Sequence, residues 1–280
     1  MPYLCTHLAF GARIASDLGA SIESLGDAYV LGCFGPDVFF FDRLPPTPLI
    51  PHQKKHGNAL HAADAAVLFG ALKSNAAPEL RPYLKGFLTH IALDATLHPY
   101  IEARHSGLDH TRFEGVIDSL IYAETADKIP YRDLLNKHVD AEPVDELLAA
   151  VSETLYAKDI RGAYRRSLRK FRKLMPFLFD PGGKRYRAIA RMERIVRKDG
   201  SLSAFLLAAP RTDREDCMNL SRADWSAPWA ADRIRSDSVP MLMEEARVYA
   251  LALIRAFDED DSTELDRLLN GCTMQKGRFL

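Results

Sequence analysis

His90, Asp94 and His98 stand four residues apart in the apolar text GFLTHIALDATLHPY. On a helix, steps of four residues rotate by about 40° and rise about 6 Å, so the three side chains form one stripe. Phe87, Leu88, Ile91, Leu93 and Leu97 surround that stripe. Two imidazoles and a carboxylate beside a core face need partners, because burying such groups unpaired costs several kcal/mol. Metal ions would supply them. The Cα atoms of residues 90 and 98 would lie about 12 Å apart. That is awkward for one tetrahedral ion and natural for neighbouring ions with Asp94 between them, since a carboxylate has two oxygens and can bridge.

His110 and Glu114 repeat the spacing in DHTRFEGVIDSLIY, again one helical turn apart. Alone the pair is as well explained by an exposed polar contact; beside the first stripe it becomes a second ligand group. His7, Asp37 and His61 are the remaining candidates. Asp37 follows Gly35-Pro36 and competes with an ordinary turn or N-cap aspartate. His61 sits near Leu60, Val67 and Leu68 and competes with a hydrogen-bonded core histidine. His52, His56, His105 and His138 lie in polar contexts and read as solvent-facing, with His52 or His56 able to line a cleft. Eight of the nine histidines fall within the first 110 residues, which places the chemistry in the N-terminal half. Nitrogen and oxygen donors without thiolates suit zinc, with iron or manganese as alternatives.

Helices must position these groups. Period-3.6 patterns dominate the chain and strand-like alternation is almost absent, so the expected fold class is all-α. The spacing predicts helices over Thr6–Leu18, Gly57–Lys73, Pro82–Thr96 and Thr111–Ala126, with Thr6 as an N-cap and a polar connection from His98 to His110. Further helices are expected over 142–157, 160–173, 185–198 and 239–259, and the prolines of Leu44–Pro51 predict an extended loop. Residues 1–130 are expected to form the metal-binding catalytic core. Residues 131–280 form a C-terminal helical region that packs on it within the same structural domain.

Composition sets bounds. The 280 residues are 47% apolar and carry a formal net charge of -1, so no global field draws the chain to nucleic acid or membrane. Fourteen lysines and arginines between Arg161 and Lys198 could form a local anion-binding face, or simply solvated helix surfaces. The run Phe39-Phe40-Phe41 offers either an aromatic patch or core packing. Cys5, Cys33, Cys217 and Cys272 are far apart with no CxxC pair, which argues against a thiolate site. The first twenty residues have no signal-peptide pattern and no apolar run spans a bilayer, so a soluble cytoplasmic protein is expected.

Taken together, Thr6-His7, the GxxGPD of Gly32 to Asp37, His61, the HxxxDxxxHP of His90 to Pro99 and the HxxFE of His110 to Glu114 resemble the zinc-dependent phospholipase C family, which shares its helical fold with the P1/S1 nucleases. Asn219, Trp225 and Pro228 resemble its cytoplasmic bacterial members more loosely. The resemblance implies one zinc on Asp37, His61, His90 and Asp94, and a second on His98, His110 and Glu114. It implies a third on His7, the other side of Asp94 and the amino group and carbonyl of the first residue. Removal of Met1 would make that residue Pro2.

The reaction such a site suits is phosphoester hydrolysis by activated water, with Asp37 and Asp94 as catalytic carboxylates. Phospholipid head groups, nucleotides or nucleic acid, and small phosphoesters all fit as substrates. The competing readings are a metal-stabilised helical protein without catalysis and, less favoured, a nucleic-acid-binding module.

Overall fold

The computed structural model describes residues 4–43, 53–105, 107–136, 140–196, 202–213 and 215–278. Pro2, His52, His138 and the proline-rich stretch 44–51 lie outside them. Twelve α-helices appear among the described residues, with one hairpin of two-residue strands at the C-terminal end. Among the described residues no helix is long and apolar enough to cross a membrane.

The axis of the fold is α5 (Arg81–Arg104), buried on every side from Tyr83 to Ile101 save partly exposed Lys85 and Pro99. A helix apolar all round has to be covered all round. Helices α2 (Gly26–Phe34) and α11 (Val239–Asp258) pack along it, flanked by α1 (Leu4–Asp17) and α6 (Gly107–Thr125). A short 3-10 helix, Gly35–Arg43, continues from α2. Helices α3 (Lys54–Ala62) and α4 (Ala65–Asn75) follow, then α7 (Tyr131–Asn136), α8 (Glu142–Tyr156), α9 (Ala163–Leu178) and α10 (Lys184–Ile195). After α11 come α12 (Ser262–Leu269) and the hairpin β1 (Cys272–Thr273) and β2 (Gly277–Arg278).

Several boundaries differ from the sequence expectations, each for a local reason. The helix expected over 57–73 is two, because Ala63 is extended and Asp64 caps α4 by accepting from the amides of Ala66 and Val67. The helix expected to stop at Thr96 runs through Pro99 to Arg104. An internal proline costs about 3 kcal/mol, and burial of Leu97, Tyr100 and Ile101 offsets that at roughly 1.5–3 kcal/mol per side chain. His98 therefore lies on the helix, not in a connection. Helix α9 likewise runs through Pro176, and α6 begins at Gly107 rather than Thr111. Thr6 is inside the first turn of α1, not its cap.

Phe39 and Phe41 are core residues, so the aromatic run is not a surface patch. The four cysteines are buried and unpaired. Trp225 packs against Tyr100 of α5 at 5.3 Å between ring centroids. The Asn219 amide donates to the carbonyls of Ala223 and Asp237, tying the long loop together.

Candidate metal centre

The α2–α5 crossing builds the site. A Cβ on Gly32 would stand 2.1 Å from the Tyr83 carbonyl oxygen, and one on Gly86 would stand 2.2 Å from that of Tyr29. The two glycines let the backbones meet. Three residues after α2 the chain delivers Asp37, and one turn after Gly86 it delivers His90. Gly35, at φ +51, turns the chain between them, and its missing Cβ leaves room for the His90 ring at 2.8 Å. Each glycine of the GxxGPD motif thus has a steric reason.

Asp37 and Asp94 are fully buried, and three imidazoles close on them. His61 Nε2 lies 3.1 Å from Asp37 Oδ1 and 3.3 Å from Asp94 Oδ2. His90 Nε2 is 3.3 Å from Asp94 Oδ2. His7 Nε2 stands 3.2 Å from Asp94 Oδ1 and 3.6 Å from Asp37 Oδ2, its ring stacked on His90 at 4.3 Å. The second group is adjacent: His110 Nε2 is 2.9 Å and His98 Nε2 3.8 Å from Glu114 Oε1. His98 and His61 have ring centroids 6.4 Å apart. All eight described residues of the expected ligand set therefore gather at one place, whereas His56 and His105 do not. Those two are partly exposed: His56 packs on Phe39, and His105 packs on Phe113 and pairs with Glu215 at 2.9 Å.

Three of the imidazoles are oriented by backbone carbonyls that accept from Nδ1. Gly57 serves His61 at 2.8 Å, Cys33 serves His90 at 3.0 Å and Met274 serves His98 at 2.5 Å. Nε2 of each is left to face the carboxylates, as in metal sites where the second ring nitrogen is fixed from behind. The Glu102 carboxylate stands 3.3 Å from Nδ1 of His110, an ion-pair contact on that side of the ring.

The donor set fits a cation. Asp37 and Asp94 present four oxygens, and His7, His61 and His90 one Nε2 each, all buried without a hydrogen-bond partner. Asp37, His61, His90 and Asp94 could hold one ion, and His98, His110 and Glu114 another. Nitrogen and oxygen donors without thiolate match zinc. Protonation agrees for two of the rings. Burial pushes His98 down to about 3, helped by His110 and opposed by Asp94. Burial and then His90 lower His7. Both imidazoles stay neutral with a lone pair to give. His61 differs: burial lowers its pKa, but Asp37 and Asp94 more than offset this and carry it to about 9. Left to themselves the two carboxylates recruit a proton, so a cation binding there displaces one.

A cavity of about 500 Å³ opens on the second group, lined by His61, His98, His110, Glu114, Glu102, Phe40, Lys54, Asn58, Thr111, Phe205 and Gln275. Two features escaped the sequence reading although the stripes extend to them. Glu102 is one turn beyond His98, and Asp118 one turn beyond Glu114. Asp118 accepts from the Thr6 amide at 2.8 Å and from its hydroxyl at 3.0 Å, anchoring the turn that carries His7.

Burial raises Asp118 to about 6. A carboxyl raised on folding from 3.8 to about 6 contributes stability that is fully present below pH 4 and is lost as pH rises through 6, by about 3 kcal/mol. Asp118→Asn keeps the acceptor oxygen and removes this penalty. Its Tm relative to wild type should climb on the order of 5 °C between pH 4 and 7; a pH-independent difference would refute the assignment.

The C-terminal hairpin was not expected from sequence, yet it supplies the Met274 carbonyl, and the Gln275 amide donates to the His61 carbonyl at 3.2 Å. It docks through Gly277, at φ +79, where a Cβ would stand 2.6 Å from the Ala95 carbonyl oxygen and 2.7 Å from the Pro99 ring. Gly277→Val should cost roughly 2–5 kcal/mol in strain and overpacking and lower metal content at the second group. Thermal melts and metal analysis check it, and an unchanged melt with full metal would count against the docking role.

Comparison with curated proteins and with solved structures found no match. Comparison with protein families matches residues 6–171 to one described as zinc dependent phospholipase C. The match covers more than half of the chain and contains both ligand groups, leaving the hairpin outside. With that extent of match, and with the buried carboxylates and imidazoles gathered as described, the chain belongs to the zinc-dependent phospholipase C family.

Proposed function

We propose that this chain hydrolyses phosphoesters with two or three zinc ions, in the manner of a phospholipase C. Asp37, His61, His90 and Asp94 would hold one ion, and His98, His110 and Glu114 a second. His7, beside Asp94 at 3.2 Å, would contribute to holding a third. The observation that carries this reading is the convergence of seven unsatisfied buried donor atoms behind the wall of an open cavity. Bound zinc supplies positive charge to phosphoryl oxygens and lowers the pKa of water.

The chain's own groups do the rest. Asp37 is the acceptor for the proton that the attacking water loses, and Asp94 holds His7, His61 and His90 around a common point. Glu102 pairs with the His110 ring, whose Nε2 faces Glu114 and the cavity. Phe40 and Phe205 keep water from the cavity walls, while Lys54, Asn58 and Thr111 offer donors to a phosphate. A phospholipid head group is the substrate class we favour; nucleotides and small phosphoesters are the alternatives.

A metal-stabilised protein without catalysis needs its sites closed by protein ligands. The cavity beside His98, His110 and Glu114 argues for an approachable site instead. The test is metal analysis of untagged protein, followed by hydrolysis assays on phosphocholine diesters, phosphomonoesters, nucleotides and single-stranded DNA. Turnover that requires bound metal supports the proposal. Full metal content without turnover on any of these moves the protein to the structural reading.

A further inference from the structure

One buried side chain of helix α10 ties it to the segment that follows. Glu193 accepts from the amides of Leu202 and Ser203 and from the Ser203 hydroxyl. It is the only acidic residue of the helix and its only buried one. The Arg211 guanidinium lies over the Tyr186 ring at 5.0 Å and donates to the carbonyls of Ser203, Ala204 and Leu206. Together they hold α10 against the 3-10 turn Ser203–Phe205, whose Phe205 lines the cavity.

The opposite face of α10 is exposed and divides into two strips. At 100° per residue, Lys184, Arg187, Arg191 and Arg194 share one side, and Ala188, Met192 and Ile195 the other. The four cations are exposed, and none forms an ion pair among the described residues. Met192 is 66% and Ile195 75% exposed, with Val196 at 61% just beyond the helix. A cationic strip beside an apolar strip, with no carboxylate on the face, matches an anionic lipid surface: phosphate and carboxylate head groups meet the arginines while methionine and isoleucine enter the acyl boundary. Nucleic acid would satisfy the arginines and leave Met192 and Ile195 without partners.

We propose that α10 docks this protein on anionic lipid bilayers. Docking by itself does not depend on turnover; only its consequence, presentation of the cavity beside Phe205 to membrane-borne substrate, rests on the hydrolase reading.

The test measures co-sedimentation of the full chain with vesicles of phosphatidylcholine alone and of phosphatidylcholine with phosphatidylglycerol. Wild type is compared with Arg187→Glu/Arg191→Glu and with Met192→Ser/Ile195→Ser, each confirmed folded by its melt. Wild type should bind the anionic vesicles and not the neutral ones, less tightly as salt rises. The charge variant should bind at least tenfold more weakly, and the apolar variant should also lose affinity. Absence of binding to anionic vesicles overturns the proposal, as does equal binding by all three proteins. So does loss of binding by the charge variant alone together with arginine-dependent binding to DNA, or a wild-type dimer that both variants disrupt. Vesicle binding without phosphoester turnover would sink the hydrolase reading and leave docking intact; turnover of soluble substrate without vesicle binding would do the reverse.

Discussion

Asp94→Asn is expected to abolish phosphoester hydrolysis and strip the first ion while leaving the chain folded. Among the described residues Asp94 is the one carboxylate within 3.8 Å of four imidazoles, those of His7, His61, His90 and His98. Burial alone would raise its pKa, and the surrounding histidines, His90 and His98 foremost, hold it well below the carboxylate range. It is therefore the charge around which the donors are arranged. Asparagine keeps the volume and one acceptor but loses the negative charge and the second acceptor oxygen. Metal assistance is worth several kcal/mol at the phosphoryl group, so turnover should fall on the order of 10³-fold or more. Metal analysis should show at least one ion fewer per chain. His98→Ala should act on the second group instead, leaving metal at the first. An Asp94→Asn protein with wild-type metal content and turnover would remove the basis for the site.

The largest effect on the fold is expected from Gly32→Val. At the α2–α5 crossing an added Cβ meets the Tyr83 carbonyl oxygen at 2.1 Å, the Gly86 Cα at 2.8 Å and the Phe87 amide at 2.8 Å. All three are backbone atoms, so no flexible side chain can yield. The helices must separate, opening voids on both sides of the most extensively buried helix of the protein. We expect a cost of about 5 kcal/mol or more, comparable with the whole margin of a typical domain. The result should be insoluble protein, or a Tm lower by roughly 10–20 °C. Because Asp37 and His90 leave this same crossing, surviving protein should also bind less metal. Gly70→Ala is the contrast: nothing lies within 4 Å of that Cβ, and alanine should stabilise α4 by about 0.5–1 kcal/mol. A Gly32→Val protein melting like wild type would show that the helices do not meet there.

Local sequence is most informative where a side chain contradicts its surroundings. His90, Asp94 and His98 are legible because polar groups at helical spacing stand among leucines and phenylalanines, and only a partner at that stripe resolves the conflict. The same logic, followed one turn further along each stripe, reaches Glu102 and Asp118. The helical class is legible for a related reason, since its periodicity is set by which residues must face the core.

Boundaries were less legible. Local rules end a helix before Pro99, but the packing around Leu97, Tyr100 and Ile101 outweighs the lost hydrogen bond. Asp64 reads locally as one more polar residue in a helix; as a cap it breaks that helix, so that His61 ends α3 facing Asp37.

By itself, then, the sequence determined which side chains are the candidate metal ligands, the helices that hold most of them, and the family motifs that join them. Only the tertiary structure decided that two ligand groups lie side by side, that Gly32 and Gly86 bring their helices together, and that Met274, some 176 residues away in the chain, fixes His98. The physical reason is that side-chain type and period are local properties of the chain. A backbone carbonyl has no sequence signature, and its place beside a ring nitrogen is set by packing between distant segments.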